Sequence, residues 1–467
     1  MPPAWTCAQL SRCRTRAIAT LVVAVVATPH SVSAAGFAAA RFGGEHGNVT
    51  ESNATALYYN PGALGFITGP GVYADGVLAL RRGTWDHPAT ATERPDPPGA
   101  SGANAGHASL SNLFGAPMLG AVTRWRDLAV GTAFSIPFGG RSHWDQNPRF
   151  ADSTAFPLAA EGVQRWHSIQ GALTFMYFTG GVAYRVGRFS FGVSGNLVRS
   201  SVHSEQAKNP TGNGDPDTTR EGRLILDVSG YQASLGLGAM VEAIDDRLWL
   251  AASYQSQPGF GPMTLRGTLQ IRYQESGGSS VPVTFTQALP DITRLGGRFR
   301  PSRTVELRLY GDFTRWSVLQ SQCVSTADQP CAVLTTGADA TPGSTTIQNV
   351  RRGWNNTVGV RAGGSLWVKP AVELFAGAGY ETGAVPDATL EPGLLDADNV
   401  TGAAGVRVRV VAGLFVQASY THVQYLNRDN TGRSQLAAFD PPTRRADGGG
   451  RYTLSLDLAS VSVEKQF

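Results

Sequence analysis

Residues 404–410 read Ala-Gly-Val-Arg-Val-Arg-Val, with Ala404, Val406, Val408 and Val410 on one parity and Arg407 and Arg409 on the other. Successive side chains of a strand point to opposite sides, so this period of two predicts a strand with one apolar and one polar face. A helix would gather its apolar positions every three or four residues instead. Working outward, Val358, Val360, Ala362, Leu366 and Val368 alternate with Thr357, Arg361 and Ser365. Val305, Leu307 and Leu309 alternate with Glu306 and Arg308, Asp312 follows on the polar parity, and Val372 and Leu374 flank Glu373.

Between such segments the connections alternate in length. Six are tight, around Arg126-Asp127, Val186-Gly187, Asp245-Asp246, Pro301-Ser302, Lys369-Pro370 and Val411-Ala412. Seven are long and polar or irregular, covering roughly 83–115, 139–169, 204–221, 258–288, 319–349, 385–398 and 427–449. Thirteen connections join fourteen strands, and an even number brings both chain ends to the same side. Short turns on one side and long loops on the other are the asymmetry of outer-membrane barrels, whose short turns face the periplasm. Lipid cannot hydrogen-bond a backbone, so a spanning sheet must close on itself. The expected fold is therefore all-β, a transmembrane antiparallel barrel of about 14 strands. Glu306, Arg308, Asp312, Arg361, Glu373, Arg407 and Arg409 should face the lumen, and Val305, Leu307, Leu309, Val372, Leu374, Val406 and Val408 the lipid. A soluble sandwich with ordinary alternating strands would not explain the loop pattern together with the two chain ends described next.

Composition agrees. In 467 residues, 16% are charged, glycines number 56, and 20 Phe, 13 Tyr and 9 Trp suit crowded strands. A net charge of +4 with no long basic run excludes a phosphate-reading surface, so nucleic acid is not an expected partner. No mainly apolar stretch of about 20 residues follows residue 30, which argues against helical spans.

At the start, Arg12, Arg14 and Arg16 precede the apolar run Ala17 to Ala27, and Val32-Ser33-Ala34 follows, the order of a secretory signal cleaved after Ala34. Residues 1–34 are read as that signal, and Cys7 and Cys13 leave with it. The remaining pair, Cys323 and Cys331, sits in a polar stretch with no zinc spacing, compatible with a loop disulfide or with two idle thiols. The eight His are scattered, and neither a metal site nor a cofactor is expected. The chain ends Val461, Val463, Lys465, Phe467. Outer-membrane barrels commonly finish in such an aromatic, which the assembly machinery reads. The apolar parity of Tyr452, Leu454, Leu456 and Leu458 changes phase at Ala459-Ser460, which predicts a bulge or a change of exposure there.

Residues 35–69, rich in Ala, Gly and Asn, are too long for a lead-in and too short for a domain. They contain Ala56-Leu57-Tyr58-Tyr59-Asn60-Pro61-Gly62-Ala63-Leu64, and Asn60-Pro61-Gly62 is a turn signal. With Ala35-Gly36-Phe37 before it, this stretch resembles the N-terminal hatch of the FadL family of long-chain fatty acid and hydrophobic-compound transporters of Gram-negative outer membranes. Ile136-Pro137-Phe138-Gly139 resembles its Pro-Phe-Gly strand exit. Leu289-Pro290 to Trp316-Ser317, with Pro301-Ser302-Arg303 as the turn, resembles its Leu-Pro strand and Trp-Ser strand end, and Gly379-Tyr380 to Val385-Pro386 and Ser419-Tyr420-Thr421-His422 resemble its late repeats. Gly62 stands where that family usually has Ala, a conservative exchange for a turn, and the loop with Cys323 and Cys331 has no evident family counterpart.

The resemblance implies three parts, a signal over 1–34, a hatch inside the barrel over 35–69 anchored at Asn60, Pro61 and Gly62, and the barrel over 70–467. It implies uptake of fatty acids or hydrocarbons, captured by outer loops, held beside the hatch and released through a lateral gap in the wall. Partners would be these small hydrophobic molecules, outer-membrane lipid and, through Phe467, the barrel assembly machinery. Trp144, Phe150, Phe156, Leu158 and Trp166 form an apolar set in the second long loop. They make an exposed capture surface, pack the loop onto the rim or form an interfacial aromatic girdle. Arg308, Arg361, Arg407 and Arg409 could meet a fatty carboxylate, but neutralising Glu306, Asp312 and Glu373 is the simpler role. A general diffusion porin needs neither plug nor apolar loop. An enzyme lacks support, since no Gly-x-Ser-x-Gly, His-Glu-x-x-His or Gly-x-Gly-x-x-Gly occurs.

Overall fold

A computed structural model of the protein describes residues 41–212, 214–273, 277–341, 343 and 345–467. The signal reading of 1–34 and hatch residues 35–40 lie outside the described residues. Fourteen strands close the wall: β1 (Gly71–His87), β2 (Gly106–Trp125), β3 (Leu128–His143), β4 (Gln170–Val186), β5 (Phe189–Lys208), β6 (Gly222–Ile244), β7 (Leu248–Gln255), β10 (Ile292–Phe299), β11 (Val305–Thr314), β14 (Thr357–Lys369), β15 (Val372–Glu381), β16 (Asn399–Val411), β17 (Leu414–Tyr425) and β19 (Arg451–Gln466). The others, β8 (Met263–Tyr273), β9 (Gly277–Gln287), β12 (Ser321–Thr326), β13 (Thr346–Arg351) and β18 (Arg428–Asp429), stand above the wall. Neighbours run antiparallel, and β1 pairs with β19 from Gly71↔Gln466 to Asp86↔Arg451, which leaves the sheet no edge there.

All six tight turns fall where the sequence puts them, at one end, with the chain's last residues beside them. The seven long connections alternate with them, but several are shorter than expected because the strands run on. The first is cut to 88–105 by continuous β1–β2 pairing. In two others the stretches expected to be irregular are ladders, β6 to β8, β8 to β9, β9 to β12 and β12 to β13. Their polar residues satisfied the turn pattern while their alternation, Met263, Leu265, Leu269 inward and Thr264, Arg266, Thr268 outward, is that of strands.

Side-chain parity divides wall from lumen as expected. Leu307, Leu309 and Leu374 are 50%, 60% and 46% exposed on the outside, whereas Glu306, Arg308 and Glu373 are buried inside. Arg361 and Arg407 share the inner parity, but Arg409 is exposed beside a bulge at the tight turn. These three inner arginines each meet a carboxylate: Arg308 lies 3.6 Å from Glu306, Arg361 3.7 Å from Glu381 and Arg407 2.8 Å from Glu464. In β19 the expected bulge is absent, and register with β1 is unbroken. The even residues stay inside throughout. The change of phase is chemical: Tyr452, Leu454, Leu456 and Leu458 line the loop-side half of the lumen, whereas Ser460, Ser462 and Glu464 line the turn-side half. On β19 the inner face is thus apolar in its loop-side half and polar in its turn-side half.

Candidate functional site

The polar half is filled. Residues 41–69 fold into two short 3-10 turns, Gly44–His46 and Pro61–Phe66, and one α-helical turn, Ala56–Tyr59. Asn60 is fully buried at their centre. Its Oδ1 accepts from Gly62 N at 3.0 Å, capping the turn that Pro61 begins with its preset φ. Its Nδ2 donates to Val49 O at 2.8 Å and to Ala239 O of β6 at 3.1 Å. Ser190 Oγ donates to Gly62 O at 2.7 Å and Ser253 Oγ to Tyr59 O at 2.6 Å. Backbones here nearly touch. A Cβ on Gly62 would sit 2.7 Å from the Gly238 carbonyl, and one on Gly192 would sit 2.4 Å from Pro61. Gly62 is therefore no conservative replacement for Ala in this chain, because the wall leaves no space for a methyl.

The earlier part, 41–51, is held differently, by side chains that carry charge. Gly43 N donates to Asp75 Oδ2 at 2.5 Å, Arg308 Nη1 to Glu45 O at 3.2 Å, and His46 Nε2 lies 2.7 Å from Glu373 Oε1. Arg298 approaches Glu51 at 3.6 Å.

The wall opens between β2 and β3. β2 and β3 pair from Trp125↔Leu128 up to Met118↔Ser135 and then separate, although β3 stays paired with β4 up to His143↔Gln170. A register shift between Ser135 and Phe138 adds one residue to β3, and residues 135–140 are all buried, so this arm bends into the lumen. Pro117 and Pro137 lie where the ladder stops, and neither has an N–H to continue it. The opening ends above at Asn112, whose Nδ2 donates to His143 O at 2.9 Å and whose Oδ1 accepts from His143 N at 2.7 Å. Ile136-Pro137-Phe138-Gly139 is thus a kink within a strand and not its exit. A proline between alternating apolar residues was the signal for it.

The capture residues do not form an exposed surface. Trp144 is 2% exposed in the main core, Phe150 packs with Ala100, Ala103, Ala159 and the half-buried Phe156, and Trp166 packs with Ala207 and Ala446. Leu158 is half-buried. The reason is Arg165, fully buried in the same loop. It holds Glu221 through Nε at 2.6 Å and Nη2 at 3.0 Å, and donates to Gly162 O and Ala103 O. That anchor folds the loop inward, so its apolar residues pack the rim. Cys323 and Cys331 are joined by a disulfide across the turn after β12.

Under the loops lies a cavity of about 110 Å³. Its lining includes the apolar Leu173, Val202, Leu226, Phe285, Val324 and Leu394 and the charged or polar His167, Arg352, Glu391 and Arg445. Burial alone would raise the Glu391 carboxyl, but Arg445 and Arg352, with a hydrogen bond from His167, hold it well below the ordinary carboxylate range. Sequence reading singled out none of these four, since each is a lone polar residue in a different loop.

The sequence profile of a family described as "Outer membrane protein transport protein (OMPP1/FadL/TodX)" matches residues 16–452. Among solved structures, a Pseudomonas aeruginosa FadL homologue superposes with TM-score 0.73 at 16% identity, covering 94% of this chain and all of that one. The Pseudomonas putida toluene transporter TodX gives 0.61 at 14% identity, covering 94% and 99%. The Ralstonia pickettii toluene transporter TbuX gives 0.57 at 13% identity, covering 89% and 94%. No protein of curated function matches the sequence.

Proposed function

Since the chain belongs to the OMPP1/FadL/TodX family of outer membrane transport proteins, we propose that it takes up hydrophobic molecules by a route that ends in the bilayer and bypasses the filled half of its lumen. The ligand enters beneath the long loops and moves along the inner faces of β19, β1 and β2, past the apolar Leu454, Leu456, Phe114 and Met118 and the buried Arg81 among them. It then leaves sideways between β2 and β3. The observation that carries this route is the unpaired stretch between Met118↔Ser135 and Asn112–His143, which opens on the apolar half. An apolar molecule gains about 0.8 kcal/mol for each CH₂ kept from water, so passage from an apolar lumen into lipid avoids rehydrating it. Residues 41–69 act as the hatch. Its Asn60-Pro61-Gly62 turn is the fixed anchor, and the segment 41–51, held by charged side chains, is the part that shifts.

The neighbours named as toluene transporters suggest arenes, and the FadL homologue suggests acyl chains, as ligand classes to try first. The test is uptake of labelled oleate and labelled toluene by cells lacking their own transporters, with this protein assembled in their outer membrane. Accumulation above the empty-vector level is expected for at least one ligand. Failure with both, together with ion conductance by the purified protein in planar bilayers, would replace this reading with a diffusion porin.

A further inference from the structure

Four loops meet above the lumen at a single carboxylate. Glu391, between β15 and β16, accepts Arg352 Nη1 at 2.7 Å on Oε1 and Arg445 Nε at 2.9 Å on Oε2. His167 Nδ1 lies 2.9 Å from the same Oε2. Arg352 comes from the connection between β13 and β14, Arg445 from that between β18 and β19, and His167 from that between β3 and β4. All four side chains are buried. Three further donors go to neutral acceptors: Arg352 Nε to Gln322 at 2.8 Å, Arg445 Nη1 to Gln206 at 3.1 Å and Arg445 Nη2 to His167 O at 3.2 Å. His167 Nε2 lies 3.2 Å from Asp447 O.

The cluster therefore sets two guanidinium groups and an imidazole around one carboxylate, beside the apolar side chains of Leu173, Val202 and Leu226. Glu205 on the same cavity is already taken by Arg223 and Gln170. Two guanidinium groups gripping both oxygens of a carboxylate is the strongest arrangement proteins have for that group. Here the carboxylate gripped belongs to the protein. The cavity it borders is well under the roughly 300 Å³ at which ligand pockets begin, so an acyl chain enters only if a loop moves.

We propose that Glu391 is a built-in stand-in for the head of the transported molecule, and that an amphiphile bearing a carboxylate exchanges with it on Arg352 and Arg445. The exchange frees the loop 382–398 from the other three loops and admits the tail along Leu173, Val202 and Leu226. The ion pairs made and lost are equal in kind, so the buried arginines are never left without a counter-ion during the swap. The inference rests on the uptake reading and narrows its ligand to an anionic amphiphile.

The experiment uses the full-length protein in a neutral detergent, with laurate and its uncharged analogue dodecanol as probes. In the unaltered protein, laurate should speed chymotryptic cleavage within the freed loop 382–398, at Leu390, Leu394 or Leu395, and dodecanol should not. Glu391→Gln removes the competing charge and should tighten laurate about tenfold while leaving dodecanol unchanged. The double variant Arg352→Gln, Arg445→Gln should bring laurate down to the affinity of dodecanol. Equal effects of the two probes on cleavage in the unaltered protein would overturn the exchange, and that comparison stands even where a variant fails to assemble. Cell uptake separates the two levels: uptake of dodecanol and laurate alike, indifferent to Glu391→Gln, would leave transport intact and remove the exchange, whereas uptake of neither would remove both.

Discussion

Asn60 Nδ2 lies 3.1 Å from the carbonyl oxygen of Ala239, so one buried side chain joins the turn at residues 60–62 to the wall of β6. The same amide holds Val49 and Gly62, and three backbone groups depend on it. Asn60→Ala takes this partner from Val49 O and Gly62 N inside the barrel, at a penalty of about 1–3 kcal/mol for each buried group left unsatisfied. The expected outcome is a barrel that still assembles, with residues 41–69 loosened and uptake impaired, more so when Pro61→Ala is added. Limited proteolysis from the periplasmic side, alongside the uptake assay, checks it; unchanged uptake in the double variant would remove the hatch role.

The contact of Gly62 with Gly238 makes a second prediction that separates packing from composition. Gly62→Ala places a methyl 2.7 Å from the Gly238 carbonyl and should destabilise by about 1–3 kcal/mol, as overpacking does. Gly195, on the outer face of β5, has nothing within 4 Å of its notional Cβ, and Gly195→Ala should change little. Urea midpoints of the two variants refolded into lipid vesicles decide it, and equal shifts would contradict the contact.

The kink in β3 follows from one extra residue. Deleting Ile136 removes it and should let β3 run on beside β2, closing the opening above Met118↔Ser135. Uptake should then fall while the protein remains heat-modifiable on gels, as assembled barrels are. Asn112→Ala acts the other way, since it removes the two bonds to His143 that bound the opening above. Uptake that survives the deletion would place the exit elsewhere.

Leu309 is 60% exposed at the middle of β11, and its neighbour Arg308 is buried inside. Leu309→Arg should cost about 2–4 kcal/mol if that face meets the centre of a bilayer. Folding equilibrium into phospholipid vesicles measures this directly, and a shift near zero would deny that the face meets lipid.

Glu391 sets a pH window. Its folded-state value is held well below its ordinary value, so it contributes stability above the ordinary carboxylate range, and that contribution is lost as pH falls through the folded value. The loop cluster should therefore resist acid from neutrality down to about pH 4, the ordinary range, and loosen only below it. Proteolysis of the loops across this range, compared with Glu391→Gln, provides the check; loosening at mildly acid pH in the unaltered protein would contradict the sign.

Much of this architecture was legible in the residues themselves, for two local reasons. A strand's side chains alternate whatever surrounds it, so Val406, Arg407 and Val408 declare their faces without a neighbour. A backbone in lipid must be paired, so fourteen such segments with alternating connections have a closed sheet as their solution. The turn at Asn60-Pro61-Gly62 was likewise readable, because Asn and Pro set it through their own geometry. The tertiary structure decided what depends on meetings across the barrel. Trp144, Phe150 and Trp166 look exposed in a polar loop, yet Arg165 finds Glu221 and folds them inward. Pro117 and Pro137 become an opening because the registers of β2, β3 and β4 fail to agree. Glu391 becomes a junction because barrel closure brings together loops that lie 39 residues apart in one pairing and 224 in another. Period and turn chemistry act between neighbours in sequence, whereas burial and charge pairing act between neighbours in space.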